Sequence, residues 1–287
     1  MSLPDPPPIL HLSIHILLLN PNSSLAMTRT MESAANRIAA LTPVMPQTHP
    51  NAYAAPEPSP ASIDNDEDIQ ASVQAVVNDP ELQSRLQANA YDAVLVACYS
   101  VHPLVKQLAH SLKPVPVIGI LEASILTALS LIPTVEPGVQ QQQQQQQWGI
   151  VTTGAFWEAH LCNGVAAFLG QPQPLTSPTP SPGIGGDSRF AGVFSTGLNA
   201  GDFHTTSQDQ ISMRLREATK RLLSSGNVNC VVMGCGGMGG LQDMIRTVVI
   251  QEYGQDRAKD VCIVDGVQAG VLQLQQAALS RRFFGVK

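Results

Sequence analysis

The sequence predicts an α/β fold built on parallel sheets, and three observations support that class. Short apolar runs alternate with helix-like stretches along nearly the whole chain. The apolar runs are continuous, as in strands that are buried on both faces of a parallel sheet. Loops carrying Asn, Thr, Ser, Cys or Gly follow these runs, which is the strand–loop–helix order of α/β proteins.

The first half of the chain contains three predicted strands. They coincide with short runs rich in Val, Leu and Ile, at 14–19, 92–97 and 115–120. Helices are predicted between and after them, at 27–38, 69–90, 103–112 and from 122 onward. Pro80 is expected to split the second of these helices, and Pro103 suits the first turn of the third. Residues 45–68 hold five prolines and an acidic cluster, so a long loop is expected there, leading to a helix N-terminus.

The second half repeats the same alternation. Its strands are predicted at 148–151, 190–195, from 228 and at 261–264. Its helices are predicted at 156–169, 209–223, 241–253 and 267–279. Two biased stretches are predicted to be surface loops: 133–147, which ends in eight consecutive glutamines, and the Pro/Ser/Gly-rich stretch at 170–189.

Composition and charge exclude several classes of protein. The chain has 287 residues, of which 44% are hydrophobic and 13% charged, and its net charge is −6, so neither nucleic acid nor an anionic membrane surface is an expected partner. The N-terminus lacks the basic region of a signal peptide or presequence, and the apolar run at 9–19 is too short to span a bilayer. The five cysteines are odd in number and show no zinc-ligand spacing, so reduced thiols in the cytoplasm and no metal are expected.

Polar residues or cysteines mark the ends of the predicted strands. In parallel sheets ligands bind at the carboxyl ends of the strands, so one edge is expected to carry the site. The residues predicted to gather there are Asn20, Cys98, Glu122, Thr152, Thr196, Cys235 and Asp265.

Two of these residues, Cys98 and Cys235, stand in closely similar settings. Each follows an apolar strand and one small residue, and small or polar residues come soon after. Their matched placement suggests two thiols facing opposite sides of one substrate, with thiol pKa values lowered by helix N-termini and backbone N–H groups. Such a pair suits acid–base chemistry at a carbon next to a carbonyl, without a metal or cofactor. The other three cysteines lie in apolar runs and are interpreted as core residues.

A competing motif overlaps the second cysteine. Residues 234–239 satisfy GxGxxG between a strand and a helix, which is the dinucleotide-binding fingerprint. That fingerprint normally opens a nucleotide domain, whereas only 48 residues follow Gly239. The acid–base interpretation is therefore preferred. Among other candidates, His102 either tunes Cys98 or caps a helix, and Glu122 and Asp265 are expected to be structural.

Several segments resemble the aspartate/glutamate racemase superfamily, and within it the hydantoin and allantoin racemases. They are ILLLNPNSSLAMT, DAVLVACYSVHP, VPVIGILEAS, VTTG, VVMGCGGM and VCIVDGVQAGV, and they extend from Ile16 to Val271. The resemblance implies an α/β fold of two pseudo-symmetric lobes, each a parallel sheet flanked by helices, with the active site between them. The implied lobes are 9–122 with 267–287, and 123–266, after a disordered tail at 1–8.

The resemblance also implies an activity, namely cofactor-independent inversion of the C5 carbon of a hydantoin ring. Cys98 and Cys235 are the implied acid–base pair. The residues implied to hold the ring are Asn20, Ser100, Thr152, Thr153, Gly236 and Gly237. The implied partners are a small-molecule substrate and further copies of the chain, and the low-complexity insertions point to a fungal branch. The stretch at 99–102 departs from many bacterial members, which leaves allantoin and 5-substituted hydantoins both open.

Two other functions stay open from the sequence. The same scaffold can support an isomerase or decarboxylase with one essential thiol, although the presence of both cysteines argues against it. A ligand-binding or regulatory protein without turnover is the second alternative, because both thiols can be kept in an altered pocket.

Overall fold

Two parallel sheets form the framework of the protein. The computed structural model describes residues 13–41, 47–88, 90–132, 146–171 and 189–285. The predicted tail at 1–8, most of the glutamine tract and most of the 170–189 loop lie outside these ranges.

The two sheets share one topology. The first has the order β2-β1-β3-β4 and the second has the order β6-β5-β7-β8, so each strand of one sheet has a counterpart in the other. Every pairing within them is parallel. The strands are β1 (Ile14–Asn20), β2 (Thr48–Ala54), β3 (Ala93–Val96), β4 (Val117–Gly119), β5 (Gln147–Thr152), β6 (Phe190–Ser195), β7 (Val228–Gly234) and β8 (Cys262–Asp265). The predicted α/β fold with two pseudo-symmetric lobes is confirmed, and we refer to the layers around each sheet as the first and second lobe.

Helices connect and cover the strands. Among the described residues they are α1 (Leu25–Leu41), α2 (Asp66–Val77), α3 (Pro80–Gln87), α4 (Pro103–Ser111), α5 (Ile120–Leu131), α6 (Phe156–Phe168), α7 (Gln208–Leu223), α8 (Gln242–Tyr253), α9 (Gln255–Ala258) and α10 (Gly266–Phe284). Pro80 splits α2 from α3 as predicted, because Asp79 caps the new helix through the N–H of Glu81. Among the described helices, none has the length and apolar character needed to cross a membrane.

The strand β2 was not predicted, because the sequence suggested a loop through 45–68. It lies at the edge of the first sheet, where Pro50 pairs beside Ile16. An edge strand hydrogen-bonds on one side only and therefore tolerates a proline. Most of its residues are also partly exposed, so no continuous apolar run marks it.

The buried core explains why the predicted strands are continuously apolar. In β1, Leu17 and Leu19 face an outer layer that includes residues of α2, α3 and α4. Ile16 and Leu18 face the other side, where the core continues through α5 and α10 to residues of the second sheet such as Ile150. Both faces of the strand are therefore covered, as expected for parallel sheets.

The last helix returns to the first lobe. α10 packs on α1 and α5 and on strands of the first sheet. α5 contacts α10 and strands of both sheets, so it lies at the seam. The proposed lobe boundary at 122/123 falls inside this helix, and the division into 9–122 with 267–287 and 123–266 stays a prediction.

Candidate active site

A pocket lies between the two lobes at the carboxyl ends of their strands. Cys98 lies beyond β3 and Cys235 directly follows β7, and these strands hold equivalent places in the two sheets. The two thiols line the same pocket. Its described lining is Asn22, Met27, Met31, Ile63, Ala97, Cys98, Tyr99, Thr153, Trp157, Ala200, Gly234, Cys235, Gly236 and Gly237.

The turn after β3 fixes Cys98. The N–H of Ala97 donates to the carbonyl of Leu19 in β1 at 2.8 Å, which extends the sheet to the residue before the cysteine. The buried Ser100 hydroxyl donates to Cys98 Sγ at 3.3 Å. This hydrogen bond supports a thiolate at Cys98 more than a thiol.

Cys235 is held by the glycine turn that follows β7. It precedes a short 3-10 turn, Gly236–Met238, and its Sγ accepts the N–H of Gly237 at 3.2 Å. A Cβ on Gly236 would clash with Met31 Sδ. Glycine at this position therefore lets the turn of the second lobe approach α1 of the first lobe closely.

The thiol pKa values differ from the sequence prediction. Burial raises the pKa of Cys98 to about 12, although the hydrogen bond from Ser100 lowers it. Burial also raises the pKa of Cys235 to about 11, against the N–H groups of Gly237 and Met238. The negative charge of Asp64 raises both pKa values further. The predicted lowering is wrong in sign, because desolvation outweighs the local donors.

The predicted helix N-termini also lie away from the thiols. α4 begins at Pro103, five residues after Cys98, and α8 begins at Gln242, seven residues after Cys235. The influence of a helix dipole is strongest within its first turn, and neither cysteine belongs to the first turn of the helix that follows it. Cys235 has only the backbone donors of the short 3-10 turn.

Three of the six predicted ring-binding residues line the pocket and three do not. Thr153, Gly236 and Gly237 are part of the wall. Asn20 is fully buried, and its amide donates to Asn22 Oδ1 and to Thr28 Oγ1, each at 2.8 Å. It therefore shapes the loop that presents Asn22 to the pocket.

The other two predicted residues, Ser100 and Thr152, lie behind the residues that line the pocket. Ser100 reaches the site through Cys98 Sγ, as described above. Thr152 Oγ1 donates to the carbonyl of Gly234 at 2.8 Å and so ties β5 to the end of β7. Both side chains are fully buried.

Much of the wall was not predicted from the sequence. Asn22 stands in the same NPNSS loop as Asn20, and that loop was the available signal for it. Met27 and Met31 are four residues apart on α1, a spacing that places both on one face of the helix. Ile63 and Ala200 come from segments whose sequences show no pattern that predicts a binding site. Trp157 is buried in α6 and also lines the pocket.

His102 and Asp265 have structural roles as helix caps. His102 is buried and caps α4 by accepting the N–H of Leu104 on Nδ1, while Nε2 lies 3.1 Å from Ser72 Oγ. Burial lowers the pKa of His102 to about 4, which keeps the ring neutral. Asp265 caps α10 by accepting two N–H groups, at 2.8 and 3.1 Å.

The glycines of the GxGxxG match are explained by packing within the protein. A Cβ on Gly234 would lie 2.7 Å from Ile150 Cγ2 and 3.0 Å from Thr152 Cβ. Gly236 is crowded by Met31, as noted above. Packing against β5 therefore accounts for Gly234, and the close approach of α1 from the first lobe accounts for Gly236.

The described lining of the pocket is neutral. It contains no Asp, Glu, Lys or Arg side chain, and its polar groups are amide, hydroxyl and thiol groups and the backbone. No group of three or more His, Cys, Asp or Glu residues within the described ranges could hold a metal ion. The described lining therefore offers two thiols, with neutral hydrogen-bond donors and acceptors around them.

Comparison with known proteins identifies the family. The family model described as Asp/Glu/Hydantoin racemase matches residues 16–274. The chain belongs to this racemase family. Its relatives within the family include the hydantoin racemase of Pseudomonas sp. strain NS671, which is 25% identical over 256 residues, covering 89% of this chain and 82% of that protein.

Fungal proteins and solved structures are also similar. The uncharacterised protein C1F7.10 of Schizosaccharomyces pombe is 28% identical over 263 residues, covering 90% of this chain and 89% of that protein. The structure of allantoin racemase from Klebsiella pneumoniae matches with a TM-score of 0.68 and 23% identity, covering 93% of this chain and 89% of that one. The likeness to this structure supports the two-lobed racemase fold.

The hydrogen bond from Ser100 provides a test of the thiol at Cys98. Hydrogen bonds to charged groups contribute about 1.5–3 kcal/mol, so Ser100→Ala should lower kcat/KM by about 10–100-fold at a fixed pH. Loss of this donor should raise the pKa of Cys98, so the rise of kcat/KM with pH should move to higher pH. Ser100→Thr, which keeps a hydroxyl, should recover most of the loss.

The matched control is Ser111→Ala at the other end of α4, where the hydroxyl donates to the Leu108 carbonyl. Ser111→Ala should leave the dependence of kcat/KM on pH unchanged. A Ser100→Ala protein with lower activity and an unshifted profile would indicate that Ser100 only supports packing.

Proposed function

We propose that this protein is a cofactor-independent racemase that inverts the C5 carbon of a hydantoin-type ring. The observation that carries the proposal is the pair of thiols, Cys98 and Cys235, at equivalent strand ends of two lobes that share one pocket. Both cysteines are unpaired and partly exposed there. Two such groups suit proton removal on one face of a carbon and proton return on the other.

The proposed reaction needs no other reactant. The neighbouring carbonyl acidifies the C5–H bond of the ring. One cysteine, as thiolate, takes the C5 proton, and the C–H electron pair moves into an enolate. The opposite cysteine, as thiol, gives its proton to the other face of C5. The enzyme is left with thiol and thiolate exchanged, ready for the opposite enantiomer.

The enolate oxygen requires donors in this scheme. Backbone N–H groups at a fixed position stabilise such an oxyanion at little cost in reorganisation. The glycine turn at Gly236 and Gly237 lines the pocket and is the proposed source. Asn22 and Thr153 supply neutral polar groups for the ring carbonyls and N–H groups.

The neutral wall favours a ring over an amino acid. Aspartate or glutamate would bring an ammonium and two carboxylates into the pocket, and buried charges are costly without partners. No charged side chain is present among the described lining residues, and the nearby Asp64 would repel a carboxylate. A hydantoin ring, by contrast, carries no net charge at neutral pH. The similarity to a hydantoin racemase and to an allantoin racemase supports the same class of substrate.

The proposal is tested by optical rotation with a panel of single enantiomers. The panel is (S)-allantoin, one 5-alkylhydantoin, L-glutamate and L-aspartate, each with an enzyme-free control because the ring compounds racemise slowly on their own. We expect loss of rotation above the control for at least one ring compound and none for the amino acids. Racemisation of an amino acid alone would contradict the proposal. Ring binding without racemisation would favour the ligand-binding alternative.

A further inference from the structure

A short segment of the first lobe grips the second lobe beside the pocket. We call residues 61–66, which end the connection between β2 and α2 and include the first residue of α2, the strap. Its Ile63 is buried and forms part of the pocket wall. Its neighbours belong to the second lobe: Asp64 Oδ1 accepts the N–H of Ala200 at 3.4 Å, and Asp66 Oδ1 lies 3.6 Å from His160 Nδ1.

The strap is fixed to the first lobe at both ends. Just before it, the Ser59 hydroxyl donates to the carbonyl of Pro21 at 2.6 Å, and the carbonyl of Pro60 accepts the N–H of Ser23 at 3.0 Å. At its other end, Asn65 caps α2 by accepting the N–H of Asp68. The strap therefore moves with the loop that carries Asn22, and a gap can open only between this unit and the second lobe.

The contacts between the strap and the second lobe are individually weak. The hydrogen bond from Ala200 is long for an N–H donor, and the Asp66 side chain is 75% exposed, so its attraction to His160 is screened by water. Elsewhere the lobes are joined by the apolar core at α5 and α10. The strap side is therefore the side on which the lobes part most readily.

The pocket has too little room for a ring in this state. The centre of a water molecule can move through about 40 Å³ of it. Pockets for small molecules typically span about 300–1,000 Å³. Wall residues such as Met31 and Trp157 are buried, so the pocket is closely walled. A substrate can enter only if the wall opens.

We infer that the strap closes the pocket by gripping the second lobe at Ala200, Gly201 and His160, and that this grip must release for a ligand to enter. Release separates the lobe that carries Cys98 from the lobe that carries Cys235. Closure brings the two thiols back into one pocket, which makes the strap a positioning element for both. The inference rests on the geometry of the closed pocket and holds for any ligand of this site.

A reversible cross-link tests this inference. A Cβ built on Gly201 would lie 3.9 Å from Ser62 Cβ, and Cβ atoms joined by disulfides are about 3.5–4.5 Å apart. The double variant Ser62→Cys/Gly201→Cys, treated with oxidised glutathione, should form a disulfide between strap and second lobe. The Ser62 hydroxyl is buried without a hydrogen-bond partner among the described residues, so its replacement breaks no bond.

The readout is alkylation of Cys98 and Cys235 by N-ethylmaleimide, followed by peptide mass spectrometry. The thiols are only partly exposed in the closed state and should react faster in the open state, so the cross-link should slow alkylation by about tenfold or more, and a reductant should restore the rate. Racemisation should fall and recover in parallel. The two single variants and the unmodified protein, oxidised in the same way, control for oxidation of the pocket thiols. Because alkylation needs no turnover, it tests the strap even if the proposed activity is absent.

A second variant tests whether a weaker strap contact makes the pocket open more often. Asp66→Asn removes the charge that faces His160, and Asp66 is not among the groups that shift either thiol pKa. It should speed alkylation of both pocket thiols. Thiols that react equally fast with and without the cross-link would overturn the inference. So would a folded double variant that forms no cross-link, because the closed contact would then be absent.

Discussion

Cys98→Ser and Cys235→Ser should each lower racemisation by about 10²–10⁴-fold, the usual contribution of a single acid–base group. Serine keeps the size of cysteine but is far less acidic than a thiol. In the proposed reaction each cysteine serves as base for one enantiomer and as acid for the other. Either replacement should therefore slow both directions of racemisation.

Cys262→Ser is the matched control for these variants. Cys262 is partly exposed, as Cys98 and Cys235 are, but it begins β8 and does not line the pocket. It should keep nearly full activity, and circular dichroism should show the same fold for all three variants. Cys162→Ser, in the buried part of α6, is a second check. If either control loses as much activity as Cys235→Ser, the assignment of the acid–base pair is wrong.

The activity should rise steeply with pH. Burial raises the pKa of Cys235 to about 11 and that of Cys98 to about 12, so at neutral pH nearly all free enzyme holds two thiols. The proposed reaction needs one thiolate and one thiol. Well below the pKa the thiolate fraction grows about tenfold per pH unit, so kcat/KM should grow by about that factor between roughly pH 6 and 8, where a hydantoin ring is still uncharged.

The sign of this dependence follows from the direction of the pKa shifts. A raised thiol pKa favours the protonated form, so raising the pH adds active enzyme. After the first ionisation, the charge of one thiolate raises the pKa of the other thiol and preserves the mixed state. Each pH value needs an enzyme-free control, because base racemises hydantoins directly. A flat profile, or one that falls above neutral pH, would contradict the raised pKa values.

The framework was largely predictable from the sequence. Continuous apolar runs such as 14–19 and 92–97 became strands covered on both faces, and the polar residues after them gathered at one edge. The strand β2 was missed because Pro50 and its partly exposed neighbours lack the features of a buried strand. At a sheet edge, the tertiary structure outweighs this weak local preference.

The site was predictable only where it directly follows a strand. Cys98 and Cys235 were predicted because the end of a strand fixes their position along the chain. Thr153 and the glycine turn were implied by the family resemblance, and all of these residues line the pocket. Ile63 belongs to a loop whose course depends on contacts with the opposite lobe, which no local pattern encodes. The thiol pKa values were mispredicted for a related reason, because desolvation depends on the surrounding packing.

The central claim is that Cys98 and Cys235 act on opposite faces of one carbon. Proton NMR of each single Ser variant in D2O, with each pure enantiomer of the ring compound that the enzyme racemises, tests it most directly. We predict that Cys98→Ser exchanges the C5–H of one enantiomer without inverting it, and that Cys235→Ser exchanges only the other enantiomer. If both variants exchange the same enantiomer, or if either exchanges both, the two thiols do not act on opposite faces.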